Sequence, residues 1–407
     1  MKRRFAIVGI LAALAMVAAA CGGGSDEPKN TSGGGEKQLV FGMLLVGPKN
    51  DHGWSQANYE AGQEIEKELG AKMIVLDKVN PADRPETSVD KAAADMISQG
   101  AQLIFATSDD MKDGIIAAAT QNPDVPMIWT SGDTAWKDGK DYQPDLKNLG
   151  NIMGRMEYGK MIAGCAAALT TQTGHIGYLG ALINDETRRL ANSAFLGARY
   201  CWSKYRSNGS TDDLKFDVNW IGFWFNIPGQ TLDPTQVTNS FFDSGADVVM
   251  SGIDTTESLV RAGQRQAAGE DVWAVSYDYT GGCDEAPDAC LGSPYFNWGP
   301  AYVDTAKSVM DGSFKAEFQW NGPDWSDIND PKTSAIGFVD GAALSDENKG
   351  LLDEFIAGLG DGSIDLYKGP LNWQDGSTFL GDGETATDSQ IWYSTQLLEG
   401  MKGASSS

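Results

Sequence analysis

The chain has 407 residues, 41% of them apolar and 21% charged, which is enough for two domains with cores of their own. Its formal charge of −25 comes with no basic cluster beyond the first few residues, which excludes nucleic acid and anionic membrane surfaces as electrostatic partners. Two histidines, His52 and His175, leave almost no material for His-based metal sites or for Ser-His and Cys-His catalysis.

Lys2, Arg3 and Arg4, the apolar stretch Phe5 to Ala20 and the small residues before Cys21 have the pattern of a secretory signal peptide over residues 1–21. Cysteine at the cleavage point resembles a bacterial lipobox, with Ala18 where such boxes usually carry Leu. Lipidation of Cys21 would anchor the chain on the extracytoplasmic face of a cell membrane; an ordinary secretory signal with an incidental Cys is the alternative. The apolar stretch is shorter than the roughly 20 residues of a membrane span. Without this segment 28 basic residues face 56 acidic ones, a net charge of −28. Residues 22–37, with Gly22-Gly23-Gly24-Ser25 and Gly33-Gly34-Gly35, form a flexible tether. Outside the cytoplasm disulfides persist. Cys283 and Cys290 enclose a short Asp/Pro-containing loop and are expected to pair, leaving Cys165 and Cys201 for each other; buried free thiols are the alternative for that second pair.

The apolar run Leu39 to Val46 predicts a buried strand, and Ala57, Ala61, Ile65 and Leu69 the inner face of a helix. Between them lies Gly47-Pro48-Lys49-Asn50-Asp51-His52-Gly53-Trp54-Ser55, a strand-to-helix loop. Such loops, at the carboxyl ends of parallel strands, are where open α/β sheets hold ligands. Strands at 72–76, 103–106 and 125–129 and a helix over 89–97 continue the alternation, with Gly70 and Gly100 where helices end. A second series starts after Asn151: helix 156–169, strand 175–179, helix 186–200, strand 218–223, then 235–244, 248–251, 256–267 and 273–277 in the same rhythm. Two similar α/β lobes predict a clamshell, and domain interfaces favour ligands. From Asn321 the texture turns to Asp, Gly, Asn and Trp, with one clear helix at 346–356, expected to cover the second lobe.

No Walker A sequence, His-Glu-x-x-His or Gly-x-Ser-x-Gly is present, and no stretch keeps the ligand order of an EF-hand loop. No cofactor and no metal are therefore expected, and no catalysis. What remains is a set of loop residues suited to binding. Trp54, Trp224 and Trp298 fall at expected strand ends, where an indole can stack on a flat ring, core packing being the alternative for any one of them.

Four segments together resemble the basic membrane protein (PnrA-like) family of ABC-importer substrate-binding lipoproteins. They are Gly47-Pro48-x-x-Asp51-x-Gly53-Trp54, Leu103 to Ser108, Phe223-Trp224-Phe225-Asn226 with Pro228-Gly229, and Asn297 to Tyr302 with Asp304, Lys307 and Asp311-Gly312. The resemblance implies a type I periplasmic-binding-protein fold, with two Rossmann-like lobes, a hinge and a purine nucleoside or base in the cleft. It places ring-stacking aromatics on Trp54 and on Trp224 or Phe225, and a ribose-binding carboxylate on Asp278. Asp51, Ser55, Ser108, Asp109, Asp254, Asn297 and Trp298 join these as ligand contacts. Many nucleoside-binding members carry a Lys where this chain has Tyr295-Phe296-Asn297-Trp298, and its Trp-Gly-Pro form is similar to the branch associated with free bases.

The expectation is a monomeric, lipid-anchored solute-binding protein that passes a purine-like ligand to an ABC permease. The first lobe is expected over 38–152 plus about 280–318 and the second over 153–279 plus about 319–402. A sensor that presents the same clamshell to a membrane receptor, a binder of another flat heterocycle such as riboflavin, and a secreted nucleoside- or sugar-acting enzyme are the rivals. Trp54→Ala and Trp224→Ala are both expected to weaken binding and leave the fold intact.

Overall fold

The computed structural model describes residues 38–207 and 209–406. The expected signal peptide, Cys21 and the tether lie outside the described residues. The chain first alternates β1 (Val40–Leu44), α1 (Trp54–Leu69), β2 (Lys72–Leu76), α2 (Val89–Ser98), β3 (Leu103–Ala106), α3 (Lys112–Gln121), β4 (Met127–Thr130) and β5 (Leu149–Gly154). The strands read as continuous apolar runs because a parallel sheet is covered on both faces; every residue of β3, β4 and β5 is buried. Helix α1 stops at Gly70, which takes the left-handed conformation that ends a helix without strain.

A second alternation follows: α4 (Met156–Thr170), β6 (His175–Gly180), α5 (Asp185–Cys201), β7 (Lys215–Trp220), α6 (Pro234–Asp243), β8 (Val248–Gly252), α7 (Glu257–Ala267) and β9 (Trp273–Val275). Strand β7 starts and ends three residues before the expected run. It lies next to the edge of its sheet and alternates polar and apolar residues, so its signal is weaker. The aromatic run Phe223 to Phe225 is thereby left to the loop that follows. Helix α5 opens with a reciprocal cap, in which the Asn184 side chain accepts from the Thr187 amide and the Thr187 hydroxyl from the Asn184 amide. Helices α4 and α5 cross at glycine: a Cβ on Gly164 would overlap the Ala194 carbonyl, and one on Gly197 the Met161 carbonyl. Cys165 and Cys201, one on each helix, are joined, their Cα atoms 5.2 Å apart.

The chain then runs through β10 (Gly292–Phe296), α8 (Gly299–Met310), β11 (Phe318–Asn321), β12 (Ile336–Asp340) and α9 (Asp346–Gly360). The short hairpin β13 (Leu371–Asn372) with β14 (Thr378–Leu380), the short helix α10 (Asp388–Trp392) and β15 (Met401–Lys402) complete it. The first sheet has the order β11-β5-β4-β3-β1-β2 and the second β15-β7-β6-β8-β9, both parallel throughout. In each, the first strand of the series pairs with the second on one side and the third on the other, so the two lobes repeat one plan. The chain passes between them after β5, after β10 and after β11, and β10 pairs antiparallel with β12 beside these crossings.

The lobe boundaries differ from those expected. Strand β11 pairs with β5, which carries the first lobe to Asn321. The stretch 280–291 belongs with the second lobe instead of the first: Cys283 and Cys290 are bonded, Cα atoms 5.5 Å apart, and Ala274 bridges Cys290 at the end of the second sheet. A cysteine-closed loop packed on α7 carries too few apolar residues of its own to mark which lobe it joins.

Candidate functional site

In a doubly wound sheet the loops diverge where the strand order reverses, and a crevice opens there. That point lies between β1 and β3 in the first lobe and between β6 and β8 in the second. The two crevices face each other. They enclose a narrow pocket, with a cavity of about 20 Å³ between the closed lobes. Trp54 follows β1, Ser108 and Asp109 follow β3, Ser131 follows β4, and Trp224, Asp254, Tyr277 and Asp278 come from the loops of the second sheet. The lobes touch at backbone level: a Cβ on Gly53 would overlap the Asp254 carbonyl oxygen. Just outside, His52 Nδ1 meets Glu285 Oε1 at 2.9 Å, and the Gln56 amide donates to the Tyr279 hydroxyl at 2.8 Å.

Six of the residues expected as contacts line this pocket: Trp54, Ser108, Asp109, Trp224, Asp254 and Asp278. Trp54 is held rigidly, its indole N–H donating to the Thr107 carbonyl at 2.5 Å and its ring meeting Phe296 and Trp298 edge-on at 5.2 and 5.3 Å. Trp224 is buried in the apolar core on the outer face of the second sheet, and its backbone carbonyl accepts the Asp254 amide at 2.9 Å. Its indole lies close enough to Asp110 to steady that carboxylate, but no hydrogen bond of normal geometry joins them.

The other five residues do not line the pocket. Asp51 accepts the amides of Gly53, Ser55 and Gln56 at 3.0, 3.0 and 2.9 Å, so its carboxylate fastens the start of α1. The Ser55 hydroxyl accepts the Gly47 amide at 3.0 Å and closes the same loop. Phe225 packs edge-on against Phe223, Trp298 stacks on Phe296 at 4.6 Å behind Trp54, and Asn297 donates to the carbonyls of Pro331 and Ser334. These residues build the wall behind the site. Sequence reasoning missed Ser131, Tyr178, Glu186, Thr187, Leu190, Gly252 and Tyr277. Glu186 and Thr187 were findable, since they open the helix after the switch-point strand β6. Tyr178 sits inside an apolar strand and Tyr277 two residues beyond one, and neither carries a signal.

Asp278 is the most unusual group. It is fully buried, neither carboxylate oxygen has a hydrogen-bond partner, and its backbone is left-handed at φ +69°. His52 and Ser131, also on cleft loops, share that conformation, which an L side chain adopts at a cost and which clusters at functional sites. Burial pushes the Asp278 and Asp254 carboxyls well above their usual range, the buried Lys160 ammonium pulling Asp278 the other way and neighbouring carboxylates adding to the rise. Glu186 is pushed up to about 7 by burial against the pull of Arg189, and Asp109 to about 6 by burial and Asp110. Glu186 and Asp109 keep some exposed surface, directed into the cleft. Behind Tyr277, Lys160 is wholly buried, its ammonium 3.1 Å from the Tyr277 ring centre and bonded to the Ser251 carbonyl at 2.6 Å; burial holds it well below the usual lysine range. The pocket therefore offers two indole faces, two phenols and four carboxyl groups. It suits a flat ligand that donates hydrogen bonds. Among the described residues no group of three or more His, Cys, Asp or Glu could hold a metal ion, and no helix is long and apolar enough to cross a membrane.

Comparison with known proteins agrees with this geometry. A purine-binding protein of Brucella abortus is 27% identical over 360 residues, covering 88% of this chain and 91% of its own. A Haloferax volcanii protein, provisionally named an ABC transporter glucose-binding protein, is 26% identical over 69% of this chain and 63% of its own. An ABC transporter nucleoside-binding protein of Lactococcus lactis is 25% identical over 56% of this chain and 60% of its own. Among solved structures, an ABC transporter solute-binding protein of Aeropyrum pernix superposes with a TM-score of 0.63 at 13% identity, covering 82% of this chain and 93% of that one. Likeness at that identity bears on the fold alone. The profile of the PnrA-like ABC transporter substrate-binding proteins matches residues 38–349, and the chain belongs to that family.

Proposed function

We propose that the protein closes its two lobes on a purine base or nucleoside and delivers it to the permease of an ABC importer. The observation that carries this is Asp278, a buried carboxylate with both oxygens unpartnered in a pocket faced by Trp54 and Trp224. An unpaired buried carboxylate costs several kcal/mol, a cost that a ligand donor removes. A purine ring brings N–H and amino donors together with a flat face, and a nucleoside adds hydroxyls. Stacking on an indole contributes about 0.5–1.5 kcal/mol beyond area burial, and a hydrogen bond to a charged acceptor about 1.5–3 kcal/mol.

The name of the Brucella relative supports a purine ligand and that of the Lactococcus relative a nucleoside, and the name of the Haloferax relative sets glucose as the rival. In this reading Trp54 and Trp224 cover the ring, Asp278 and Asp254 accept from it, and Cys21 carries the lipid that keeps the protein at the membrane. Titration calorimetry against adenine, guanine, adenosine, inosine and glucose tests it. Purine binding with no response to glucose is expected, and folded protein that binds no purine refutes it. Mass spectrometry of the ligand carried through native purification gives an independent answer.

A further inference from the structure

The last residues of the chain join the second lobe and reach back into the first. Strand β15 adds to the second sheet beside β7, and the Trp220 indole donates to the Ala404 carbonyl at 2.8 Å. Helix α5 holds the stretch before it. Asn192 accepts the Leu398 amide at 3.0 Å and donates to the Gln396 carbonyl at 2.9 Å, Arg188 donates to the Ser394 carbonyl at 2.7 Å and Arg189 to the Trp392 carbonyl at 2.9 Å. These residues lie beyond the stretch 38–349 matched by the family profile, so the family pattern does not account for them.

Side chains of the same segment are fastened to the first lobe. Trp392, 5% exposed, sits edge-on against Phe318 and Trp320 of β11 at 5.1 and 4.9 Å and against Trp136 at 5.7 Å, within the core of the first lobe. Asp388 accepts from both Nη atoms of Arg155, at 3.0 and 2.8 Å, where the chain first crosses between the lobes after β5. The Tyr393 ring lies parallel to Trp136 with centres 5.9 Å apart, and its hydroxyl donates to Asp133 and accepts the Lys140 amide at 2.6 Å. Trp392 and Tyr393 wall the cleft there, beside Asp109, Ser131 and Glu186. Asp133 is 5% exposed, and its carboxylate receives no other hydrogen bond among the described residues.

The two kinds of tie respond differently to opening. Trp392 and Asp388 meet β11 and the end of β5, at the edge of the first sheet where the chain crosses and the lobes move least. Tyr393 meets the loop after β4, one strand further into the cleft, where parting lobes separate more. A ring seated among other rings tolerates a small rotation, whereas a hydrogen bond is lost once its atoms part by about an ångström. We infer that this C-terminal segment is a strap across the hinge side of the cleft, with Trp392 as a pivot that stays in the first lobe and the Tyr393 hydroxyl as the tie that breaks when the lobes part, so that the strap holds the ligand-free protein towards its closed form. The strap depends on lobe closure and not on which ligand is bound.

Tyr393→Phe in the full chain tests this, since phenylalanine keeps the ring beside Trp136 and removes only the hydroxyl. One lost hydrogen bond to a charged acceptor lowers the closed-to-open ratio about tenfold. In small-angle scattering the ligand-free variant should have a larger radius of gyration than the ligand-free wild type, and the two should coincide when saturated with adenosine. In stopped-flow displacement, adenosine and adenine should both leave the variant about tenfold faster, whereas loss of a direct ligand contact would change one more than the other. Ligand-free scattering that is the same for both proteins, or release rates that are unchanged or altered for one ligand alone, overturns the strap. Should no purine bind, the ligand-free scattering still decides, so the strap and the purine reading fail separately.

Discussion

Asp278→Asn should move stability and binding in opposite directions. Asparagine has nearly the shape of aspartate and tolerates the left-handed backbone found at this position, so the fold keeps its geometry. Burial holds the native carboxyl well above its usual range, so the folded protein keeps a proton that the unfolded chain releases. Stability is therefore lost as pH rises from the usual carboxylate range towards the folded value, at about 1.4 kcal/mol per pH unit for one such proton, and levels off above it. Asparagine removes that loss, and the ligand-free variant should melt at a higher temperature than the wild type at pH 8, the gap shrinking towards pH 4. Binding should weaken, because a ligand donor draws the wild-type carboxyl into its charged form and an amide has no such form; a hydrogen bond of about 1.5–3 kcal/mol, less the cost of releasing the proton, sets roughly a hundredfold as the upper limit of the loss. Thermal unfolding across pH and calorimetry with the purine panel measure the two effects. A variant that binds as tightly as the wild type, or one that is less stable at pH 8 than at pH 4 relative to it, would refute the role given to this carboxylate.

Other substitutions separate wall from contact. Trp224→Ala should weaken binding and also lower the melting temperature, because the indole is buried in the apolar core of the second lobe. Trp54→Ala should cost about 3–5 kcal/mol of stability, because the indole is embedded against Phe296 and Trp298. Asp51→Ala should cost about 1–2 kcal/mol through the lost helix-start bonds, read from denaturant midpoints, with a smaller effect on affinity than Asp278→Asn. Gly53→Ala should hold the lobes apart and abolish binding; small-angle scattering would show no compaction with ligand, and normal compaction would refute the contact. A donating ligand favours the charged forms of Asp109 and Glu186, whose pKa values stand at about 6 and about 7, so affinity should rise from pH 5 to pH 8, and Glu186→Gln should flatten the upper part of that profile.

The strand-and-helix rhythm was legible because each parallel strand is buried on both faces and reads as an apolar run. It faltered at β7, where partial exposure dilutes the run, and over 280–291, where a short disulfide loop has no periodicity. The first loop was recognisable as lying at the carboxyl ends of the strands from its place after β1, and Trp54 does reach the pocket. Asp51, three residues earlier, turns back to its own helix, since three amides at the helix start bind the carboxylate nearest to them. Chain proximity to a site says where a loop goes, not which of its side chains points inwards.

Sequence alone determined the two series of alternating strands and helices, the Cys283–Cys290 pair and the family resemblance, because these follow from local periodicity, spacing and motif. Only the tertiary structure decided which groups share the cleft. Glu186, Tyr178, Tyr277 and the Trp392-Tyr393 wall are brought to it by helix packing and by a C-terminal segment that crosses between the lobes. The buried state of Asp278 was decided the same way. A carboxylate becomes costly, and therefore informative, only when neighbours distant in the chain take its water away.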